Sequence, residues 1–155
     1  MNEYSFYAYD HHGRLKMSAG MWLCLLDLLH PYLIIVMSIA NIRDRMGLIN
    51  LVYPEQWWLA LSAVAALPAI AFFIAWVKWQ KQQEGIFLTL WRNGKLVLLL
   101  SSCLYLTLLS LSWYTYYGSF SLVLQTVFAI ILVIYLLLSQ RVKDVLNQPM
   151  QALDP

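Results

Sequence analysis

An acidic and a basic side chain stand three residues apart inside a long apolar run near the start of this chain. They are Asp27 and His30, and the run extends over residues 18–40. A separation of three residues places both side chains on roughly the same face of a helix. Such a helix would carry Asp27 about 14 Å from its start, near the middle of a bilayer. An ionisable group at that depth costs about 2.5 to 3.5 kcal/mol, which makes the pair a candidate functional site.

The chemistry open to this pair is the transfer of a proton or a cation. An imidazole exchanges its proton near neutral pH, and a neighbouring carboxylate can accept one. Ser38 and Asn41 continue the same helix face toward the end of the run. Together with Asp27 and His30, they form the candidate intramembrane polar site.

The alternative is a structural role, in which Asp27 is protonated or hydrogen-bonded to polar side chains of other helices. We favour this interpretation because a transporter normally displays several intramembrane ionisable groups. This chain displays two such groups in its apolar runs. The candidate partners of Asp27 are Ser101, Ser102, Thr107, Ser110 and Gln125.

Four apolar runs must position this site, and each is about long enough to cross a hydrocarbon core as a helix. They cover residues 18–40, 57–77, 96–113 and 119–139. Hydrophobic residues make up 61% of the chain and charged residues 12%, whereas soluble domains carry about 25% charged residues. We therefore predict an all-α membrane protein, with one domain of four transmembrane helices and short interfacial segments in the first and second connections.

The basic residues that flank the runs predict the orientation in the membrane. Eight Lys and Arg residues fall in the N-terminal tail, the second connection and the C-terminal tail, and two fall in the first connection. Cytoplasmic segments carry the excess of basic residues, so we expect both termini in the cytoplasm. The net charge of +2 then reflects topology and contact with the lipid bilayer, and we expect no nucleic-acid partner.

The second run has two features that predict how it packs. Ala65 and Ala69, and likewise Ala71 and Ala75, stand four residues apart. Small residues at this interval let helix backbones approach closely, so this helix should pack tightly. Pro68 near the middle of the run predicts a kink, because proline removes a backbone donor.

The second connection alternates charged residues with large apolar ones, a pattern typical of a short amphipathic helix on the cytoplasmic leaflet. Tryptophan rings prefer the headgroup level, and basic residues contact anionic headgroups. A protein-docking surface is the alternative for such a cluster. The predicted interfacial anchor consists of Trp76, Lys78, Trp79, Trp91 and Arg92.

Patterns typical of enzymes are absent from the sequence. It contains no G-x-S-x-G, no H-E-x-x-H and no phosphate-binding glycine loop. The cysteines, Cys24 and Cys103, form no C-x-x-C pair, and His11 and His12 have no second cluster of ligands nearby. We therefore expect no catalytic residues, no metal site and no cofactor, and enzymatic activity is disfavoured.

Four short motifs resemble the YfeZ-like family of uncharacterised small bacterial inner-membrane proteins. They are YDHHGRLK at residues 9–16, HPY at 30–32, LINLVYP at 48–54 and GIFLTLWRNGK at 85–95. The resemblance covers about the first two thirds of the chain. It implies a bacterial inner membrane and a four-span architecture, and it brings no catalytic or ligand-binding residues with it.

The expected function is that of a non-enzymatic accessory or interaction component of the membrane. It would act as a homo-oligomer or with an unidentified membrane-protein partner. The alternative is a small oligomeric transporter or proton-coupled permease that uses Asp27 and His30. A water-accessible cavity reaching Asp27 would favour transport, and a dry bundle with Asp27 capped by serine side chains would favour the structural role.

Overall fold

The computed structural model describes residues 8–9, 15–41, 43–44, 46–53, 55–80, 85–115 and 120–147. Its helices within these residues are α1 (Ala19–Ala40), α2 (Gly47–Val52), α3 (Gln56–Ala65), α4 (Leu67–Gln80), α5 (Ile86–Arg92), α6 (Gly94–Thr115), α7 (Phe120–Leu138) and α8 (Gln140–Leu146). The predicted all-α class is confirmed, since the only extended pairing in the described residues is one isolated bridge between Tyr9 and Leu15.

Three of these helices, α1, α6 and α7, are each long and apolar enough to cross a membrane. The α3 and α4 helices meet the same criterion only together, with a bend of 43° between them, so the described residues hold three such helices, or four spans if the bent pair counts as one. The chain is therefore a multi-pass membrane protein. The short helices α2 and α5 occupy the first and second connections, where the sequence predicts interfacial segments.

The bend between α3 and α4 lies at Ala66, two residues before Pro68. Pro68 has no amide hydrogen, so it cannot donate to the carbonyl of Val64 four residues earlier. The amide of Ala66 donates to the carbonyls of Ser62 and Val64 instead, and α3 ends there. The kink predicted at Pro68 is thus a bend of 43° between two helices that only Ala66 separates.

Two neighbouring helices donate hydrogen bonds to the last turn of α3. The Tyr32 hydroxyl of α1 lies 2.7 Å from the carbonyl oxygen of Ala63, and the Ser101 hydroxyl of α6 lies 2.7 Å from that of Ala65. A helix end leaves carbonyls without intrahelical donors, and a bilayer supplies no water to replace them. These two bonds therefore stabilise the bend.

The alanine-rich face packs inside the chain. Ala65, Ala69 and Ala75 are all buried, and Ala69 and Ala75 belong to the main hydrophobic core. Small side chains let α3 and α4 approach α6 closely enough for the Ser101 bond to form. These three alanines are therefore covered by other helices of the same chain.

The α6 and α7 helices form an antiparallel hairpin. Near the connection between them, the Trp113 indole nitrogen donates to the Thr126 hydroxyl over 2.9 Å. At the opposite end, the Lys95 ammonium group donates to the carbonyl of Leu137 over 3.0 Å. This carbonyl lies in the last turn of α7, where a positive charge also stabilises the negative end of the helix dipole.

The C-terminal helix α8 packs against the start of α6, which the sequence does not predict. Its apolar residues Val142, Val145 and Leu146 are almost completely buried. Gly94 makes this contact possible, because a Cβ atom there would collide with the Phe72 ring and crowd Leu146. The tail between Ser139 and the end of α8 is therefore part of the folded core.

Candidate functional site

The predicted pair Asp27 and His30 lies in the middle of α1, but the two residues meet through the backbone of Asp27. The Nδ1 atom of His30 is 2.5 Å from the carbonyl oxygen of Asp27. Pro31 explains this contact, since it has no amide hydrogen for the carbonyl four residues earlier, which is that of Asp27. The imidazole ring thus donates the hydrogen bond that the helix cannot supply at this point.

The other ring nitrogen of His30 binds Tyr53, which follows α2. The Tyr53 hydroxyl is 2.7 Å from Nε2, and the two ring planes differ by 4°. A carbonyl oxygen can only accept, so Nδ1 carries the proton and Nε2 of the neutral ring accepts from the tyrosine. His30 therefore connects α1 to the first connection with both of its nitrogens in use.

Tyr53 remains protonated at neutral pH. Burial is the main cause that raises the pKa of Tyr53 to about 12, and the charge of Asp27 acts in the same direction. A protonated phenol is the donor that Nε2 of His30 requires. Tyr53 also packs with Ile34 and Leu59 in a small second core at this end of α1.

Tyr105 of α6 extends the network toward α7. Its ring meets the His30 ring edge to face, with centroids 5.5 Å apart. Its hydroxyl donates to Gln125 Oε1 over 3.4 Å, and Gln125 Nε2 donates to the Ser121 hydroxyl over 3.1 Å. His30, Tyr53, Tyr105 and Gln125, here called the polar network, thus link α1, the first connection, α6 and α7.

A small cavity of about 20 Å³ lies beside the polar network, between α3, α6 and α7. Tyr53, Tyr105 and Gln125 form part of its wall. Its other lining residues are Val52, Trp58, Ser62, Leu108, Leu109, Ser112 and Leu122. Neither His30 nor Asp27 lines the cavity, and its lining residue Tyr53 hydrogen-bonds to the His30 ring.

The Asp27 carboxyl group is half-buried, and none of the described residues donates a hydrogen bond to it. The hydroxyl groups considered as its partners bind backbone carbonyls instead. Ser101 donates to Ala65, and Ser102 donates to Leu98 within α6. Thr107 and Ser110 likewise donate to carbonyls within α6, and Gln125 binds Tyr105 and Ser121.

Ser38 and Asn41 lie further along α1 than the polar network. Ser38 is buried and lies about two turns beyond His30. Asn41 is exposed at the C-cap of α1, where its side-chain oxygen accepts from the amide of Asp44 over 3.4 Å. The predicted four-residue site is thus divided along α1, and the two ring nitrogens of His30 bind Asp27 and Tyr53.

Two predicted anchor tryptophans, Trp79 and Trp91, come together inside the protein. The Trp91 ring is fully buried and stacks with the rings of Phe72 and Trp79, at centroid distances of 5.4 and 4.8 Å. The third tryptophan, Trp76, packs edge to face against Trp22 of α1 at 5.1 Å. Much of the predicted anchor is therefore also a packing element of α4 and α5.

The two cationic anchor residues lie at the outside of this packing. Lys78 Nζ is 5.8 Å from the centre of the Phe87 ring, and Arg92 is exposed at the end of α5. An interfacial role for the five anchor residues stays a prediction. His11 and His12 lie outside the described residues, and no group of three His, Cys, Asp or Glu side chains with metal-binding spacing occurs among those that are described.

Two members of the polar network, Tyr53 and Tyr105, were not predicted from the sequence as site residues, and neither was the adjacent Pro31. The His-Pro pair inside an apolar run was the available signal for Pro31, because a proline there always frees a carbonyl. Tyr53 and Tyr105 are distant in sequence from His30, and their contacts with it depend on how the helices pack.

In a comparison with known proteins, residues 4–148 match the family described as "Protein of unknown function (DUF2919)". One curated relative, from Escherichia coli (strain K12), carries the name "Inner membrane protein YfeZ". It is 34% identical over 68 residues, which cover 43% of this chain and 44% of the relative. The resemblance drawn from the sequence motifs is thereby confirmed. No solved structure matches this chain.

Proposed function

This chain belongs to the DUF2919 family of proteins of unknown function, and from that premise we propose that it is a non-enzymatic accessory component of the bacterial inner membrane. It would act by contact with a second copy or with another membrane protein. The named relative supports the choice of membrane. The distribution of basic residues supports a cytoplasmic location for both termini.

The observation that supports this proposal is the pair of hydrogen bonds made by the His30 ring. One ring nitrogen donates to the Asp27 carbonyl, and the other accepts from Tyr53. A proton carrier needs a partner that can take up or release a proton, and a backbone carbonyl does neither. We therefore take the imidazole as a structural link between α1 and the first connection. The interpretation favoured from the sequence gave the structural role to the Asp27 side chain instead, and the hydroxyls expected to bind it donate to backbone carbonyls.

A surface for contact with another protein is available on α7. Only 22% of its most apolar 18-residue window is buried within the chain, against 33% for α1 and α6. Ile131 is exposed and its neighbour Leu132 is buried. The two positions lie at almost the same depth, because a helix rises about 1.5 Å per residue.

A photo-crosslinking amino acid at each of these two positions tests the proposal in living cells. We expect a discrete protein adduct from Ile131 and none from Leu132, since only the former faces outward. The adduct mass and its peptides distinguish a second copy from another protein. The proposal would be contradicted if the crosslinker reacted with lipid alone at Ile131, and also at Ile134 and Val127.

A small oligomeric transporter or proton-coupled permease is the second candidate. The observation that favours it is the half-buried Asp27 carboxyl, which no described residue satisfies. Proteoliposomes that contain a pH-sensitive dye separate the two candidates. The accessory role predicts the same proton flux for the wild type, for Asp27→Asn and for empty vesicles, whereas a flux that Asp27→Asn abolishes would establish transport.

A further inference from the structure

The cavity beside the polar network has the size and the lining of a water site. Its volume of about 20 Å³ exceeds the roughly 10 to 15 Å³ that one water molecule requires. Five polar side chains border it, namely Tyr53, Ser62, Tyr105, Ser112 and Gln125. A water molecule needs about two to four polar partners, and an apolar cavity of this size would stay dry.

The hydrogen bonds already made by these side chains leave mainly acceptors free. Ser62 and Ser112 donate their hydroxyl hydrogens to the carbonyls of Trp58 and Leu108, so each oxygen keeps lone pairs. Gln125 accepts from Tyr105 and keeps a second lone pair on Oε1. A small molecule that donates hydrogen bonds can pair with these acceptors better than an anion can, and a water molecule fits the volume.

We propose that this cavity is a hydration site, in which one water molecule bridges polar side chains of α3, α6 and α7. The cavity is partly open, and Val52 and Tyr53 of the first connection form part of its wall. Its position explains why polar groups of three helices converge in an otherwise apolar part of the bundle. The same water meets the remaining hydrogen-bonding capacity of these groups.

The hydration site gives water contact with Tyr53 but no hydrogen-bonded path to the Asp27 carboxyl. From the cavity, the bonds run through the Tyr53 hydroxyl to His30 and end at the Asp27 carbonyl. That carbonyl has no proton to pass on. The site therefore binds water without conducting protons, and its existence does not depend on the accessory role proposed above.

Thiol accessibility tests the hydration site directly. In a background with Cys24→Ala and Cys103→Ala, single cysteines are placed at Leu109, which lines the cavity, and at Ser110, which is exposed toward lipid. The two positions differ in depth by only about 1.5 Å. The variants are held in lipid nanodiscs in chloride-free buffer and exposed to Ag⁺, and the remaining thiols are then counted with a fluorescent maleimide after denaturation.

Ag⁺ reacts with thiolates, which form where water reaches the sulfur. We expect Ag⁺ to block the thiol of Leu109→Cys at least about tenfold faster than the thiol of Ser110→Cys. Leu108→Cys and Thr107→Cys are a second pair with the same geometry, in case the first pair disturbs folding. Equal rates within both pairs, or faster reaction of the lipid-facing members, would overturn the proposal.

Discussion

His30 donates a hydrogen bond from Nδ1 to the backbone carbonyl of Asp27, over a distance of 2.5 Å. This carbonyl is the one that Pro31 leaves without a helical donor. A proline and the histidine before it thus form a self-contained pair, which allows a break in the backbone ladder to persist inside a membrane span. The acidic side chain of Asp27 takes no part in this bond.

The contribution of His30 should depend on Pro31. His30→Ala should lower the free energy of unfolding by about 1 to 3 kcal/mol, because it leaves the Asp27 carbonyl and the Tyr53 hydroxyl unpaired. In a Pro31→Ala background, the restored amide satisfies the carbonyl, so the same substitution should cost about 1 kcal/mol less. Unfolding of all four proteins in mixed detergent and SDS micelles measures this coupling.

Tyr53→Phe is the control for the other half of the His30 contact. It removes the hydroxyl bond and leaves Pro31 untouched, so its cost should be the same with Pro31 or Ala at that position. A cost of His30→Ala that does not change with residue 31 would show that the Asp27 carbonyl does not depend on the imidazole.

Removing the Ser101 hydroxyl should weaken the bent span. Ser101→Ala takes away the donor to Ala65 at the end of α3, where no water replaces it. We expect a loss of about 0.5 to 2 kcal/mol in the free energy of unfolding. Ser110→Ala is the matched control, because the Ser110 hydroxyl binds Thr107 of its own helix and faces outward. Equal losses for the two variants would argue against a special role at the bend.

Gly94→Ala should destabilise the packing of α4, α6 and α8. The added methyl group collides with the Phe72 ring and crowds Leu146. Overpacking costs about 1 to 3 kcal/mol, which outweighs the gain of up to about 1 kcal/mol from replacing a helical glycine. Phe72→Leu should recover part of the loss in the Gly94→Ala background, although it costs stability alone. A Gly94→Ala protein that is more stable than the wild type would show that the Phe72 ring moves aside freely.

The predicted orientation is tested with fusions at two positions. Green fluorescent protein fused after Pro155 should fluoresce, because it folds in the cytoplasm and not after export through the general secretion pathway. Alkaline phosphatase inserted at the exposed Asp44 of the first connection should be active, because its disulfides form outside the cytoplasm. The reverse pattern at both positions would invert the topology, and the basic residues would then need another explanation.

The apolar runs in the sequence were sufficient to predict an all-α membrane protein, and Pro68 was sufficient to predict a kink in the second span. These predictions depend on local properties, namely how apolar about twenty consecutive residues are and which backbone donors are missing. The candidate site was only partly predictable. His30 was recognised as an ionisable group in a span, but its partners Tyr53 and Tyr105 are 23 and 75 positions further along the sequence.

By itself, the sequence determined where this protein resides and which residues within the spans are polar, because transfer from water to lipid is a sum over neighbouring residues. Only the tertiary structure decided what those polar residues do. It joined His30 to Tyr53, turned the alanine face inward, and buried Trp79 and Trp91 in the core. Each of these outcomes depends on which helix faces pack together, and contacts between segments distant in the chain carry no local signal.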